Sequence, residues 1–368
     1  MTNHPTADAL VIGAGAWGLA SAWQLARDGA SVVLLDDGGP PASAVAAGML
    51  APWSELEDDG EHHLHDARRA AASRWPAFAA TLAEASGLPS GYARCGALHV
   101  AARPAHAGLL RRLERTVAAA GDAANWLRRD ALLALEPGLG AAVRGGLELP
   151  DEHQADPLLT LLALRCACAR AGVRALAGAA VALRPDGAAL ADGGRVRAGS
   201  TIVAAGARAS ALSGAVPLRP IKGEVVTLAP RPRSAPPPTR IIRTPDVYLV
   251  PRPDGRVVVG ATVEESLDPL PGADGVHALL DEAFHTCPDL RGMAFEGVAV
   301  GFRPATADGM PALGRDADGV VWAAGGYRHG ILLLPLVGEA VGAAVSGTPT
   351  ADVVAAFTPS RLREVACA

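Results

Sequence analysis

The sequence predicts an α/β fold in which a discontinuous parallel-sheet domain carries a second, antiparallel-sheet domain (α+β) woven through it. Three observations predict it. Residues 9–36 read as strand, glycine turn, helix and strand, and a strand, glycine turn and helix recur from residue 320 onward. Between these ends, residues 216–263 form short strand-like runs punctuated by proline. The 368 residues exceed what one hydrophobic core usually serves, in keeping with two domains.

The first unit is explicit in its residues. Residues 9–12 are an apolar run, Leu19, Ala22, Trp23 and Ala26 recur at helical spacing, and residues 31–35 form a second strand ending at Asp36, with Asp37 beside it. Between them lies Gly13-Ala14-Gly15-Ala16-Trp17-Gly18. In such a turn the first glycine bends the chain tightly, the second lets backbone approach a pyrophosphate and the third allows close helix–strand packing; the helix N-terminus offers its free N–H groups. Asp36 stands where a carboxylate accepts hydrogen bonds from ribose hydroxyls. The unit predicts a dinucleotide and leaves open whether it is FAD or a nicotinamide nucleotide.

Further along, helical patterns cover residues 67–86, 106–121 and 158–170, the last followed by Gly172. Residues 199–207 run as a strand into a small-residue turn at Ala205 and Gly206, suited to packing on the same nucleotide. Strand-like runs at 224–228, 248–250 and 257–260 flank the proline-rich turn 231–238. The expected division places 1–85, 145–215 and 300–368 in the nucleotide domain and 86–144 and 216–299 in the substrate domain.

Composition narrows the partners. Hydrophobic residues make up 50% and charged residues 19%, and the net charge of −5 comes without long runs of one sign, so no nucleic-acid surface is expected. Lys222 is the one lysine; a place near the cofactor or substrate entrance and a place on the surface are both open to it. Cys95, Cys166, Cys168, Cys287 and Cys367 show neither metal nor disulfide spacing, which fits a reduced cytoplasm. The uncharged run 9–26 is interrupted by three glycines and preceded by no basic residue, and the run 331–345 is broken by Pro335 and Glu339. Neither a leader nor a membrane span is expected. The sequence is compatible with a homo-oligomer and sets no oligomeric state.

Six ordered blocks then carry a family resemblance: residues 11–18, Ser43-Ala44-Val45-Ala46-Ala47-Gly48-Met49-Leu50, residues 220–224, Tyr248-Leu249-Val250-Pro251-Arg252, Gly301-Phe302-Arg303-Pro304 and Gly325-Gly326-Tyr327-Arg328-His329-Gly330-Ile331. Over essentially its whole length the chain resembles the glycine oxidase branch of the D-amino-acid oxidase-like FAD enzymes, which include sarcosine oxidases. The resemblance implies a Rossmann-like FAD-binding domain of the p-hydroxybenzoate hydroxylase type, an interwoven antiparallel-sheet substrate domain and FAD held without a covalent bond. It assigns to the cofactor Gly13, Gly15, Ala16, Trp17, Gly18, Asp36, Asp37, Ser43, Ala44, Ala46, Ala47, Gly48, Met49, Ala180, Val181, Ala205, Gly206, Gly301, Arg303, Gly326, Tyr327, Arg328, His329, Gly330 and Ile331. Small residues at 46–48 let backbone come close to a flat ring, beneath an apolar ceiling of Met49 and Leu50; a tightly packed turn is the plainer reading of the same residues.

The resemblance makes Arg303 the carboxylate anchor, Arg328 a site residue close to it and Tyr248 a hydrogen-bond donor, with Met49, Tyr327, His329 and Arg243 in the substrate pocket. An arginine fork pairs both oxygens of a carboxylate, whereas a structural partner such as Asp308 is the alternative for either arginine. The implied reaction is hydride transfer from the substrate Cα to flavin N5, hydrolysis of the resulting imine and reduction of O2 to H2O2. Three departures bear on the substrate: Gly326 stands where histidine is usual, His329 where asparagine is usual and Glu224 where glutamine is common. With bulk removed at Gly326 and a second cation at Arg243, a larger N-carboxymethyl amine or amino acid is expected. His62, His63, His65 and Asp66 are expected on a solvated helix face and not at a metal. Cys287 lacks the surroundings of a flavin-linking cysteine. A nicotinamide enzyme, a structural FAD carrier and a D-amino-acid dehydrogenase with another electron acceptor are the competing readings.

Overall fold

The computed structural model describes residues 3–54 and 62–362. Its first sheet has eight strands: β1 (Asn3–Ile12), β2 (Val32–Asp36), β9 (Arg174–Ala177), β10 (Ala180–Arg184), β11 (Gly187–Leu190), β12 (Arg195–Val203), β18 (Ala312–Arg315) and β19 (Val321–Ala324). β1 lies parallel between β2 and β12, β9 extends the sheet beyond β2, and β19 pairs parallel with the end of β12. Ala9, Leu10 and Val11 are fully buried, because helices or further chain cover both faces of such a sheet. On it pack α1 (Ala16–Arg27), α5 (Pro157–Arg170) and α7 (Leu334–Ser346), joined by α2 (His62–Ser86). Asp156 starts α5 by accepting a hydrogen bond from the Leu158 amide at 2.9 Å.

The second sheet also has eight strands: β5 (Ala97–Val100), β6 (Asn125–Arg128), β7 (Gly145–Leu149), β13 (Arg219–Ala229), β14 (Ile241–Arg243), β15 (Tyr248–Pro251), β16 (Val257–Gly260) and β17 (Ala294–Ala305). Their order is β17-β13-β16-β15-β14-β5-β7-β6, antiparallel throughout except between β14 and β5. The connecting helices α3 (Pro104–Ala119), α4 (Arg129–Leu135) and α6 (Ala273–Thr286) pack against this sheet. A small third sheet joins β3 (Met49–Leu50), β8 (His153–Ala155) and β4 (Tyr92–Ala93) where the two large sheets meet.

Strand pairing moves two expected crossings. β7 pairs with β5 and β6, so the chain is still in the antiparallel sheet after residue 145, and β17 stays paired with β13 to Ala305, past the expected crossing at 300. Local alternation carries no mark of either, since register is decided by the partner strand.

Candidate active site

A cavity of about 1800 Å³ runs from the glycine turn after β1 to the concave face of the antiparallel sheet. That exceeds the roughly 300–1,000 Å³ of a pocket for one ligand. At its parallel-sheet end, Gly13 holds φ +108° and a Cβ there would lie 2.5 Å from the Ala204 carbonyl oxygen, so only glycine fits. Gly15, by contrast, leaves room for a Cβ, which would make only ordinary contacts with Pro41 (3.6 Å) and Ser43 (3.9 Å). As the N-cap of α1 it offers no side chain of its own, while the Ala16 amide donates to the Ser43 hydroxyl at 3.3 Å. The other amides of this first turn have no side-chain acceptor and point their dipole at the cavity end, which suits an anion. Asp36 lines the rim and accepts from the Gly38 amide (3.0 Å) and from Arg165 (3.1 Å); Asp37 accepts from the Gly39 amide and from Arg208. Against the cost of burial, Gly39 and Arg208 hold the Asp37 carboxyl below its usual range.

Most of the residues assigned to a cofactor line this cavity, including Ala16, Trp17, Ser43, Ala46, Ala47, Gly48, Met49, Ala180, Ala205, Gly206, Gly301, Gly330 and Ile331. Three do not. Gly18 lies beneath the turn, where a Cβ would meet the Gly13 carbonyl oxygen; Ala44 packs toward the core under α1; and Val181 is 55% exposed. Alternation along β10 turns Val181 away while Ala180 faces in. Gly48 has φ +75° and abuts the Ala155 carbonyl, so the tight-turn reading of residues 46–48 holds, and the turn lines the cavity as well.

Arg252, the last residue of a sequence block to which no role had been assigned, secures that turn. It is 8% exposed, donates to the Ala47 carbonyl and the Gln154 side chain at 2.7 Å each, and lies 3.8 Å from Asp156. Arg252→Met leaves a buried carboxylate and a carbonyl without their cation, a loss on the order of 3–5 kcal/mol. The expected result is a lower Tm together with weaker FAD retention on dilution; an unaltered Tm would show that the turn holds without it.

At the other end, Tyr248, Arg243, Arg303, Tyr327, Arg328 and His329 converge on the same cavity. Arg303 projects from β17 over Gly223 and donates to the Lys222 and Thr262 carbonyls at 3.3 and 3.1 Å. Among the described residues no carboxylate pairs with it. Asp308, the expected alternative, is held by Arg361 at 2.7 Å. The Arg328 guanidinium stands 5.1 Å from the centre of the Tyr327 ring, which is itself at φ +40°. His329 is 6% exposed and lies 3.4 Å from Arg68.

Three expectations are corrected. The space beside Gly326 is filled: a Cβ there would lie 2.6 Å from the Trp17 ring, whose Nε1 donates to the Gly330 carbonyl at 2.6 Å. Lys222 is not on the surface; its carbonyl accepts from Arg303 beside the cavity while its side chain is buried. It is 3% exposed and paired with Glu224 (3.0 Å) and Glu264 (3.3 Å); the Glu224 bond, against the cost of burial and with Glu264 adding to it, raises the ammonium above its usual range. His65 is half-buried against Trp53, with ring centres 4.2 Å apart, and burial foremost pushes its imidazole down. His63 and Asp66 are exposed, and the His62 side chain and Cys367 lie outside the described residues. Among the described residues no group of three or more His, Cys, Asp or Glu is placed to hold a metal. Cys287 is buried in the core beside the antiparallel sheet, where burial pushes its thiol up to about 12.

Sequence reasoning missed Trp53, Ser54 and His99, which also line the cavity, and Arg165 and Arg208, which hold the two aspartates. Their partners are distant in sequence, so no local pattern marks them.

A dinucleotide cradle and a sheet wall bearing a cation, opening on one cavity, define a dinucleotide-dependent oxidoreductase. The chain belongs to the FAD dependent oxidoreductase family, whose model (DAO) matches residues 8–344. It is 34% identical over 368 residues to the bifunctional protein ThiO/ThiG of Synechocystis sp., covering 97% of this chain and 54% of that protein; the chain thus spans about half the length of that relative. It is also similar to the glycine oxidase of Geobacillus kaustophilus, 32% identical over 96% of this chain and 97% of that one. The crystal structure of that oxidase superposes with a TM-score of 0.90 at 30% identity, covering 97% of this chain and 99% of that one. The iminodiacetate oxidase of Chelativorans sp. BNC1 gives 0.86 at 26%, covering 95% and 98%. The residues present fit FAD: the glycine turn, the N-terminus of α1, the ribose-side carboxylates and the cavity's length each answer to a part of it.

Proposed function

We propose that the chain oxidises the Cα–N bond of glycine or an N-substituted glycine, giving glyoxylate and the free amine. One observation carries the reading: the Arg303 guanidinium faces the cavity with only carbonyl acceptors around it, among the described residues, where a substrate carboxylate supplies the missing anion. FAD, when bound, supplies the acceptor for the hydride and, with it, the two electrons. The chain's own work is positioning: Arg303 fixes the carboxylate, and Tyr248, Arg328 and the turn 46–48 line the same cavity. Holding two reactants in place contributes up to about 7–11 kcal/mol. The glycine oxidase and iminodiacetate oxidase likenesses support the substrate class. With O2 as acceptor the balance is R–NH–CH2–COOH + O2 + H2O → R–NH2 + OHC–COOH + H2O2. Among the described residues no helix is long and apolar enough to cross a membrane; we place the reaction in the cytoplasm.

The test is an anaerobic visible spectrum of the yellow protein before and after glycine, sarcosine and a larger N-carboxymethyl amino acid. Bleaching by one of them supports the proposal, and peroxide on readmitting air supports oxygen as acceptor. A flavin bleached by none of them withdraws the substrate class.

A further inference from the structure

The cavity extends beyond Tyr248 into an arm that neither the glycine turn nor Arg303 explains. One rung of the antiparallel sheet runs Val225, Gly260, Tyr248, Arg243, His99 across five strands, and all five residues line the cavity. His99, 3% exposed, is the last residue of this rung to line the cavity and is held by a buried network. Its Nε2 lies 2.8 Å from the Ser54 hydroxyl and 3.4 Å from Glu152, while Ser54 donates to Glu152 at 2.5 Å. The other Glu152 oxygen accepts from the Trp53 and Ser54 amides at 2.8 and 3.0 Å.

The single Ser54 hydrogen goes to Glu152, so Nε2 of His99 carries its own hydrogen and donates to Ser54. Glu152 is 1% exposed and lies 3.4 Å from His99, which forms an ion pair with it when the imidazole is protonated. Nδ1 of His99 takes no part in these bonds, and in the protonated ring it offers a charge-assisted N–H to a ligand in the cavity that His99 lines. Leu110 and Leu113 of α3, with Trp53, line the arm with apolar surface. Asp246, the carboxylate that also lines it, is paired with His106 at 3.1 Å.

We propose that this arm holds the substituent on the substrate nitrogen and that His99 binds a carboxylate at the substituent's far end. This rests on the amine-oxidation reading above and deepens it. The substrate class is an N-carboxymethyl derivative of a longer amino acid, with an apolar stem between nitrogen and terminal acid. Length follows from the sheet: Gly223, beneath the Arg303 guanidinium, is on β13, and four strand spacings from β13 to β5 amount to about 19 Å. Even with both side chains reaching inward, the two carboxylates of iminodiacetate are too close together to meet both groups.

The experiment measures kcat/KM of the holoenzyme for HOOC–CH2–NH–(CH2)n–COOH with n of about 1, 3 and 5, for the matching terminal amides, and for sarcosine. Expected is at least a tenfold preference for the longer acids over their amides. His99→Gln and Glu152→Gln are each expected to reduce the acid-to-amide ratio toward unity through KM. The wild-type comparison needs no variant to fold. Equal rates for acids and amides, or a ratio unmoved in His99→Gln, overturn the subsite while oxidation of sarcosine leaves the amine-oxidation reading standing. A bound flavin reduced by none of these compounds, sarcosine included, overturns both.

Discussion

Replacing Arg303 with alanine is expected to lower kcat/KM for the amino-acid substrate by about thirtyfold to several thousandfold, chiefly through KM. The range is the 2–5 kcal/mol cost of truncating one partner of a desolvated charge pair. In the protein itself the guanidinium is held by two backbone carbonyls and lies over Gly223, where any side chain would collide with it. Its place is therefore set by the sheet before a ligand arrives. Arg303→Lys keeps the charge but not the fork, and is expected to recover only part of the loss. Steady-state constants for glycine or sarcosine decide this, with the visible spectrum establishing equal flavin content. Wild-type constants in the alanine variant would remove Arg303 from the site.

Gly13→Ala is expected to abolish FAD binding and to lower Tm by roughly 5 °C or more, given a strained φ worth about 1–3 kcal/mol plus the collision with Ala204. The added methyl would sit 2.5 Å from a carbonyl of the strand turn next door, so β1 and β12 must part where they should converge on the phosphates. Gly15→Ala is the informative companion. Its φ is −74° and a methyl there would meet Pro41 and Ser43 only at ordinary contact distances, so the fold accepts it and only the approach of a ligand is blocked. Loss of flavin with an unchanged Tm is expected there, by absorbance ratio and thermal melt. Full flavin occupancy in Gly13→Ala would refute the cradle.

What was legible in the sequence shares one property: its constraint is local. The glycine turn, the strand-like runs of β13, β15 and β16 and the helical pattern of α5 each announce themselves within a few residues. The arginine blocks were legible because a guanidinium amid glycines and apolar residues asks for an anion. The rest depends on partners far along the chain. Ser54, His99 and Glu152 meet across separations of 45 and 98 residues, and Trp17 fills the hollow beside Gly326 from the other end of the sequence. An absent side chain at Gly326 thus read as empty space when it was a seat for an indole. Likewise the sequence gives no sign of the face Val181 takes on β10, which strand pairing settles.

The buried ion pairs of Lys222 carry a practical consequence for handling the protein. Reagents that acylate or reductively alkylate side-chain amines have one target in this chain, and the fold closes it off behind Glu224 and Glu264. A native sample should accept no lysine label, and lysine-directed cross-linkers or resin couplings should fail on it. Once the β13–β17 pairing opens, the same amine becomes reachable, so acylation at this one position, read by mass, turns the lone lysine into a built-in clock for unfolding.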